Sequence, residues 1–193
     1  MSNNLAYQDD HITKRREELI DGKVIAMSPR PLVNHNWISD SINYIFRSYL
    51  KGKKCVPFSD GVDLYLDEKN RFVPDFMVIC DRNKIKPDGV HGAPDLVAEV
   101  LSPSTARNDR ERKKLVYEKH GVPEYWIVDP AAKSIEVYLL SDGSYALDNV
   151  YFYHSPEEAQ YLTAEESALP TSFKCHLYDD LTIRLEDIFG DLL

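Results

Sequence analysis

The chain of 193 residues carries a net charge of -9, with 43% hydrophobic and 28% charged residues. This composition suits one folded domain with its own core and leaves little room for disorder. No uncharged apolar run reaches the roughly 18 residues of a membrane helix, and the N-terminal MSNNLAYQDDHITKRREE lacks the apolar stretch of a signal peptide, so a soluble, cytoplasmic protein is expected.

In chain order, Glu18-Leu19-Ile20 and Lys23-Val24-Ile25 alternate around Asp21-Gly22, a strong hairpin signal. Residues 34–50 place Trp37 or Ile38, Ile42, Ile45 or Phe46 and Tyr49 three to four apart, the pattern of an amphipathic helix that Gly52 ends. Residues 61–68 and 71–81 are expected as paired strands and 94–102 as a third. Ser104 or Thr105 is then the expected N-cap of a helix over 106–120, stopped by Gly121. The β-branched and aromatic runs 124–129 and 134–140 are two more strands, split by a turn at Pro130. This order predicts an α/β fold, a mixed β-sheet flanked by helices.

The charge is uneven. From Glu157 onward nine carboxylates face Lys174 and Arg184, leaving -7 there and -2 on the rest. We therefore expect residues 156–193 to be an acidic C-terminal extension packed on a domain formed by 1–155. The stretch 106–120 has six basic residues against three acidic ones, so a local +3 surface is available to a phosphate backbone. Cys55, Cys80 and Cys175 are far apart and form no CxxC, so they are expected as small apolar residues in a reducing compartment, not as a disulfide or a zinc site. The histidines, His35 among them, lack metal-ligand spacing and are expected in ordinary surface or core roles. No GxSxG, Walker or GxGxxG motif is present.

Asp75 and Glu99 interrupt segments that are otherwise apolar on both sides. Buried carboxylates on neighbouring strands repel unless a cation lies between them, and Mg²⁺ fits because it takes hard oxygen ligands and needs only one or two carboxylates. Taken singly, Asp75 could merely follow Pro74 into a turn and Glu99 could point outward on an edge strand. At about 100° per residue, Ala106, Asp109, Lys113, Val116, Tyr117 and His120 share one face of the second helix, so Lys113 is drawn inward while Lys114 is solvated. An inward lysine can stabilise charge on an attacked phosphate, or it can simply cover apolar surface.

The series ELIDG (18–22), VPD (73–75), APDLVAEVLSPST (93–105), Asp109 with Lys113 and Tyr117 at intervals of four, and GVPEYWIVDP (121–130) closely resembles the Uma-type restriction endonuclease family, within the PD-(D/E)xK nuclease superfamily. The resemblance spans roughly residues 15–140. It implies a restriction-endonuclease-like core and a Mg²⁺-dependent hydrolysis of phosphodiester bonds, with Mn²⁺ as a substitute ion. It also implies Asp75, Glu99 and the Val100 carbonyl as metal ligands, Lys113 as the catalytic lysine and Glu18 as a weaker contributor. The superfamily lysine usually follows the glutamate by two residues; here that position is Leu101, and the resemblance moves the lysine to the helix. DNA is the expected substrate, and a homodimer would match the two strands of a duplex. The rival expectation is a nuclease-like module that binds nucleic acid or protein without cutting, which the acidic surplus favours.

Overall fold

The computed structural model describes residues 17–27, 32–103 and 105–193. Ser104, one of the two candidate caps, lies outside the described residues, and Thr105 spends its hydroxyl on the Ser102 amide and hydroxyl.

The first hairpin forms as expected. β1 (Glu17–Ile20) pairs antiparallel with β2 (Lys23–Ala26), and the turn needs positive φ at both central residues, 51° at Asp21 and 75° at Gly22. Helix α1 (Val33–Tyr49) buries Ile38, Ile42 and Phe46, four apart on one stripe, and leaves Trp37 exposed. β3 (Val56–Ser59) carries Pro57, which has no N–H to give a ladder, and it is accordingly an edge strand.

The segment 71–81 is not one strand. β4 (Leu64–Asp67) pairs with β5 (Asn70–Phe72), the chain turns at Val73-Pro74-Asp75, and β6 (Phe76–Ile79) continues in a different sheet. Pro74 cannot donate to a ladder, and that is the physical reason for the break. Short β7 (Ile85–Lys86) and β8 (Gly89–His91) follow, then β9 (Leu96–Val100). A wide helical turn over Asn108–Lys113, with π-type hydrogen bonding, runs into α2 (Lys114–Lys119). Beyond it β10 (Glu124–Asp129), β11 (Ser134–Ser141) and the largely exposed β12 (Ser144–Phe152) form a meander.

Two mixed sheets result where one was expected. One runs β2-β1-β5-β4-β8-β7 and the other β12-β11-β10-β9-β6-β3, with β9 and β10 parallel across the helical crossover. One face of the second sheet packs through Phe76, Leu96, Ala98 and Trp126 onto α1 and onto Phe173, Ile183 and Phe189 of the C-terminal segment. Its other face packs through Met77, Val97 and Tyr125 onto Leu64 and Phe72 of the first sheet and Val116 and Tyr117 of α2. The C-terminal segment adds helices α3 (Pro156–Ala159) and α4 (Ala164–Ser167), the hairpin β13 (Ser172–Lys174) and β14 (Thr182–Arg184), and α5 (Glu186–Phe189).

The cysteine expectation is corrected. Val56 pairs with Ile79, so Cys55 and Cys80 stand opposite each other across β3 and β6, and they are joined as a disulfide; only Cys175 is a free buried thiol. They stand 25 positions apart in sequence, and only the register brings them together. Among the described residues no helix is long and apolar enough to cross a membrane.

Buried Glu124 pins the C-terminal segment to β10. Its carboxylate accepts from Trp126 Nε1 (2.8 Å), Leu177 N (2.9 Å) and His176 N (3.2 Å). Each buried donor left unpaired costs about 1–3 kcal/mol, so Glu124→Ala should destabilise the fold by about 3 kcal/mol or more, and Glu124→Gln, which keeps one acceptor oxygen, by less. Urea unfolding checks this; equal midpoints for wild type and Glu124→Ala would show that the network contributes nothing.

Candidate active site

Asp75 and Glu99 meet where the two sheets part. The β6–β9 register pairs Phe76 with Ala98, and one further step sets Asp75 opposite Glu99 on the face shared by Met77 and Val97. Directly opposed residues hold their Cβ atoms about 4.5–5.5 Å apart. Asp75 Oδ2 accepts the Val100 amide at 2.7 Å, completing the ladder in place of a backbone carbonyl. Asp75 thus follows Pro74 into the bend and still faces the acidic site, while β9 is an interior strand with Glu99 only 2% exposed, so the outward-pointing alternative fails.

The second helix delivers Lys113 as its facial periodicity predicts. Asp109, Lys113, Val116 and Tyr117 are all buried, whereas Leu115, off that face, is exposed. Lys113 Nζ lies 2.8 Å from Glu18 Oε1, 3.1 Å from Glu99 Oε1 and 3.3 Å from Asp109 Oδ1. Glu18 Oε1 also accepts the Val73 amide at 3.0 Å, and Tyr117 donates its hydroxyl to Glu99 Oε1 at 2.7 Å. The wide turn is where Asp109 and Lys113 sit, and the Tyr125 hydroxyl donates to the Asp109 carbonyl there. Such turns recur at functional sites.

One ammonium faces three carboxylates, with Asp75 adding a fourth negative charge nearby. Burial opposes the charge of Lys113, but Glu99, Asp109 and Glu18 outweigh it and hold its pKa well above the ordinary lysine value. Lys113 is therefore a fixed positive charge and not a general base. Burial pushes Glu99 well up, and Asp109, Asp75 and Glu18 push it further against the pull of Lys113. Asp109 is raised too, first by burial. The cluster is short of positive charge, and its donors are all hard oxygens. That combination fits a divalent cation such as Mg²⁺. Among the described residues no group of three His, Cys, Asp or Glu side chains is placed to hold a metal ion, so main-chain oxygen and water would have to complete the coordination shell.

Sequence reasoning missed His35. Its Nε2 lies 3.3 Å from Asp75 Oδ2, reaching from the first turn of α1 around the end of the sheet. Nothing in its spacing signals this, because the contact is purely tertiary. A cleft of about 620 Å³ opens beside it, lined by Leu32, Val33, Leu101, Pro103, Ala106 and Pro130 at the carboxyl ends of β9 and β10, the usual ligand side of parallel strands. The basic stretch is also less free than expected. Arg110 pairs with Asp129 and Glu136, Arg107 with Glu111, and Lys114, expected in solvent, lies half-buried with Nζ 3.5 Å above the Tyr138 ring.

In metal-free buffer, stability should fall as pH rises from the ordinary glutamate value near 4.5 through the raised value of Glu99, because the native state keeps a proton that the unfolded chain releases. Glu99→Gln should flatten that dependence. Thermal melts in EDTA test it; a wild-type profile no steeper than that of Glu99→Gln would mean that Glu99 ionises normally. Lys113→Met, which strips three buried carboxylates of their cation, should cost about 3–5 kcal/mol at neutral pH.

Residues 6–177 match the family model Uma2, described as "putative restriction endonuclease". An uncharacterized protein of Synechocystis sp., slr1290, is 31% identical over 131 residues, covering 67% of this chain and 68% of that protein. A second from the same organism, sll1609, is 26% identical over 135 residues, covering 68% and 76%. The fold is similar to the crystal structure of a "putative nuclease belonging to DUF820" from Anabaena variabilis, with a TM-score of 0.69, 21% identity and 92% of each chain covered. With a family model matched over most of its length, the chain belongs to the Uma2 family of restriction endonuclease-like proteins.

Proposed function

We propose that this protein is a divalent-metal-dependent nuclease that hydrolyses phosphodiester bonds in DNA rather than RNA, with Mg²⁺ as its ion and Mn²⁺ as a substitute. The observation that carries the reading is the cluster of Glu18, Glu99 and Asp109 on one buried lysine, with Asp75 in register beside Glu99. Family membership supports a nucleic-acid substrate. Asp75, Glu99 and the Val100 carbonyl would hold the ion, which supplies activation of water and neutralisation of phosphate charge. Lys113 contributes a permanent positive charge toward the attacked phosphate. Glu18 acts on Lys113 and on the Val73 amide, as a positioning residue.

The same proposal includes a cytoplasmic location and a homodimer that presents two sites to a duplex. In the cytoplasm the Cys55–Cys80 bond would face reduction, and both residues are only half-buried. The acidic segment 156–193 serves the first 155 residues as a packed extension, through Phe173, Ile183 and Phe189.

A second reading, a non-cutting nucleic-acid or protein-interaction module, draws support from the net charge of -9 and from the internal pairing of Lys113, Arg110 and Arg107. The two separate experimentally. Purified protein should nick plasmid or single-stranded DNA in Mg²⁺ or Mn²⁺ and stop in excess EDTA. Asp75→Asn and Glu99→Gln should each lower the rate at least ~100-fold while melting cooperatively, since each loses an ionised ligand. Metal-independent binding without cleavage, across DNA and RNA substrates, would favour the module; cleavage persisting in both variants would place the chemistry elsewhere.

A further inference from the structure

Helix α1 has a second stripe that the fold leaves uncovered. Val33, Trp37, Asp40, Tyr44 and Arg47 follow one another at alternating intervals of four and three, which is the spacing of a coiled-coil seam. At about 100° per residue, this seam lies opposite the stripe of Ile38, Ile42 and Phe46 that packs on the sheet. All five side chains are exposed, Val33 to 66%, Trp37 to 47% and Tyr44 to 74%. The elements that pack on α1, namely β3, β6, β9 and α5, leave them so. Single apolar residues on a surface need no explanation, whereas a group of them marks a contact face. Leu32, Val33, Trp37 and Tyr44 are four of the eleven large exposed hydrophobic side chains among the described residues, gathered on one helix and its N-cap.

The seam is complementary to itself. When two copies of α1 lie antiparallel about a twofold axis at the level of residue 42, Arg47 of each copy meets Trp37 of the other, Tyr44 meets Asp40, and Val33 meets Lys51. A guanidinium then stacks on an indole, a phenol hydroxyl donates to a carboxylate, and a lysine stem covers a valine. Asp40 and Arg47 form no ion pair among the described residues, so both charges are available. The positions beside the seam, Asn36, Ser41, Asn43 and Ser48, are uncharged and bring no like charges together. The neighbouring register sets Trp37 against Asp40 and Tyr44 against Val33, and it matches neither charge. Tryptophan, tyrosine and arginine are also the side chains that most often anchor protein interfaces.

We infer that α1 is the face through which two copies of this chain associate, antiparallel and with Trp37 against Arg47. The inference rests on the homodimer of the reading above and names its surface. The first turn of α1 carries His35 to Asp75, so pairing fastens both acidic centres to one helix pair. The two His35 positions lie about 21 Å apart along the paired axes.

Sedimentation equilibrium and acrylamide quenching of the full chain test this. Trp126 is fully buried, so Trp37 is the tryptophan that a quencher reaches. Wild type should dimerise as concentration rises, and quenching of Trp37 should fall in step. Tyr44→Glu, which sets a second carboxylate beside Asp40, and Arg47→Glu should each weaken association at least ~10-fold. Both positions are exposed, so the variants should melt as the wild-type monomer does. Adding Asp40→Lys to Tyr44→Glu should restore the dimer; failure of that rescue would overturn the register. A wild type that stays monomeric at every concentration would overturn the inference together with the homodimer, and metal-dependent cleavage would stand on its own test. Should acrylamide then fail to reach Trp37, another segment of this chain covers the seam. A dimer that leaves Trp37 open to acrylamide and tolerates both single substitutions would keep the homodimer and place it on a different face.

Discussion

A single ammonium group ties the architecture together. Lys113 reaches Glu18 on β1 of the first sheet, Glu99 on β9 of the second and Asp109 on its own helix, all within 3.3 Å and all shielded from water. Removing four charged groups from water costs more than an ion pair returns, so the cluster is poor evidence of stability. Its effect is to fix the relative placement of two sheets and a helix, because each carboxylate is satisfied in one arrangement only. With three negative charges against one positive, the cluster is balanced only by an extra proton or by a further cation. The first resolution serves folding at low pH; the second, in the proposed reading, serves chemistry.

The overall charge makes sense of that shortage. A chain at -9 repels a phosphate backbone, and of the six cations over residues 106–120 Lys113 is buried and Arg110 is paired, while Arg107, Arg112 and Lys119 are exposed. Arg110 bridges to Asp129 of β10 and Glu136 of β11, whereas Arg107 pairs with Glu111 on the open surface. In the proposed reading, a divalent ion at the acidic end of β9 would add positive charge to what the exposed arginines and Lys119 supply, at the place where a phosphate would be attacked.

Local pattern read well wherever local forces decide. The Asp-Gly hairpin, α1, and strands β10 and β11 follow from turn chemistry, helical periodicity and β-branched composition. Lys113 was legible because four-residue spacing keeps Asp109, Lys113 and Tyr117 on one face even though the wide turn departs from α-geometry. What stayed hidden depends on tertiary register. The apolar run around Val73-Pro74-Asp75 does not say that its halves belong to different sheets, the separation of Cys55 and Cys80 does not say that they oppose each other, and His35 meets Asp75 only because α1 packs across the end of β9. Exposed β12 escaped notice because an edge strand facing water has no buried face to impose alternation.

The bend at Pro74 explains why acidic side chains gather there. Where β5 gives way to β6, the main chain can no longer complete two ladders at once, and side chains take over: Glu18 accepts the Val73 amide and Asp75 the Val100 amide. Carboxylates do this well, since each offers two oxygens and a charge-assisted bond. Each also keeps lone pairs to spare, so the groups that close the gap between the sheets can face a cation with their remaining acceptor capacity. Replacing either acid by an apolar residue would open the sheet junction and strip the site of charge in one step. The acids that complete the hydrogen bonding around this crossing, Glu18 and Asp75, are thus two members of the acidic centre, and in the proposed reading Asp75 has a structural and a chemical task at once.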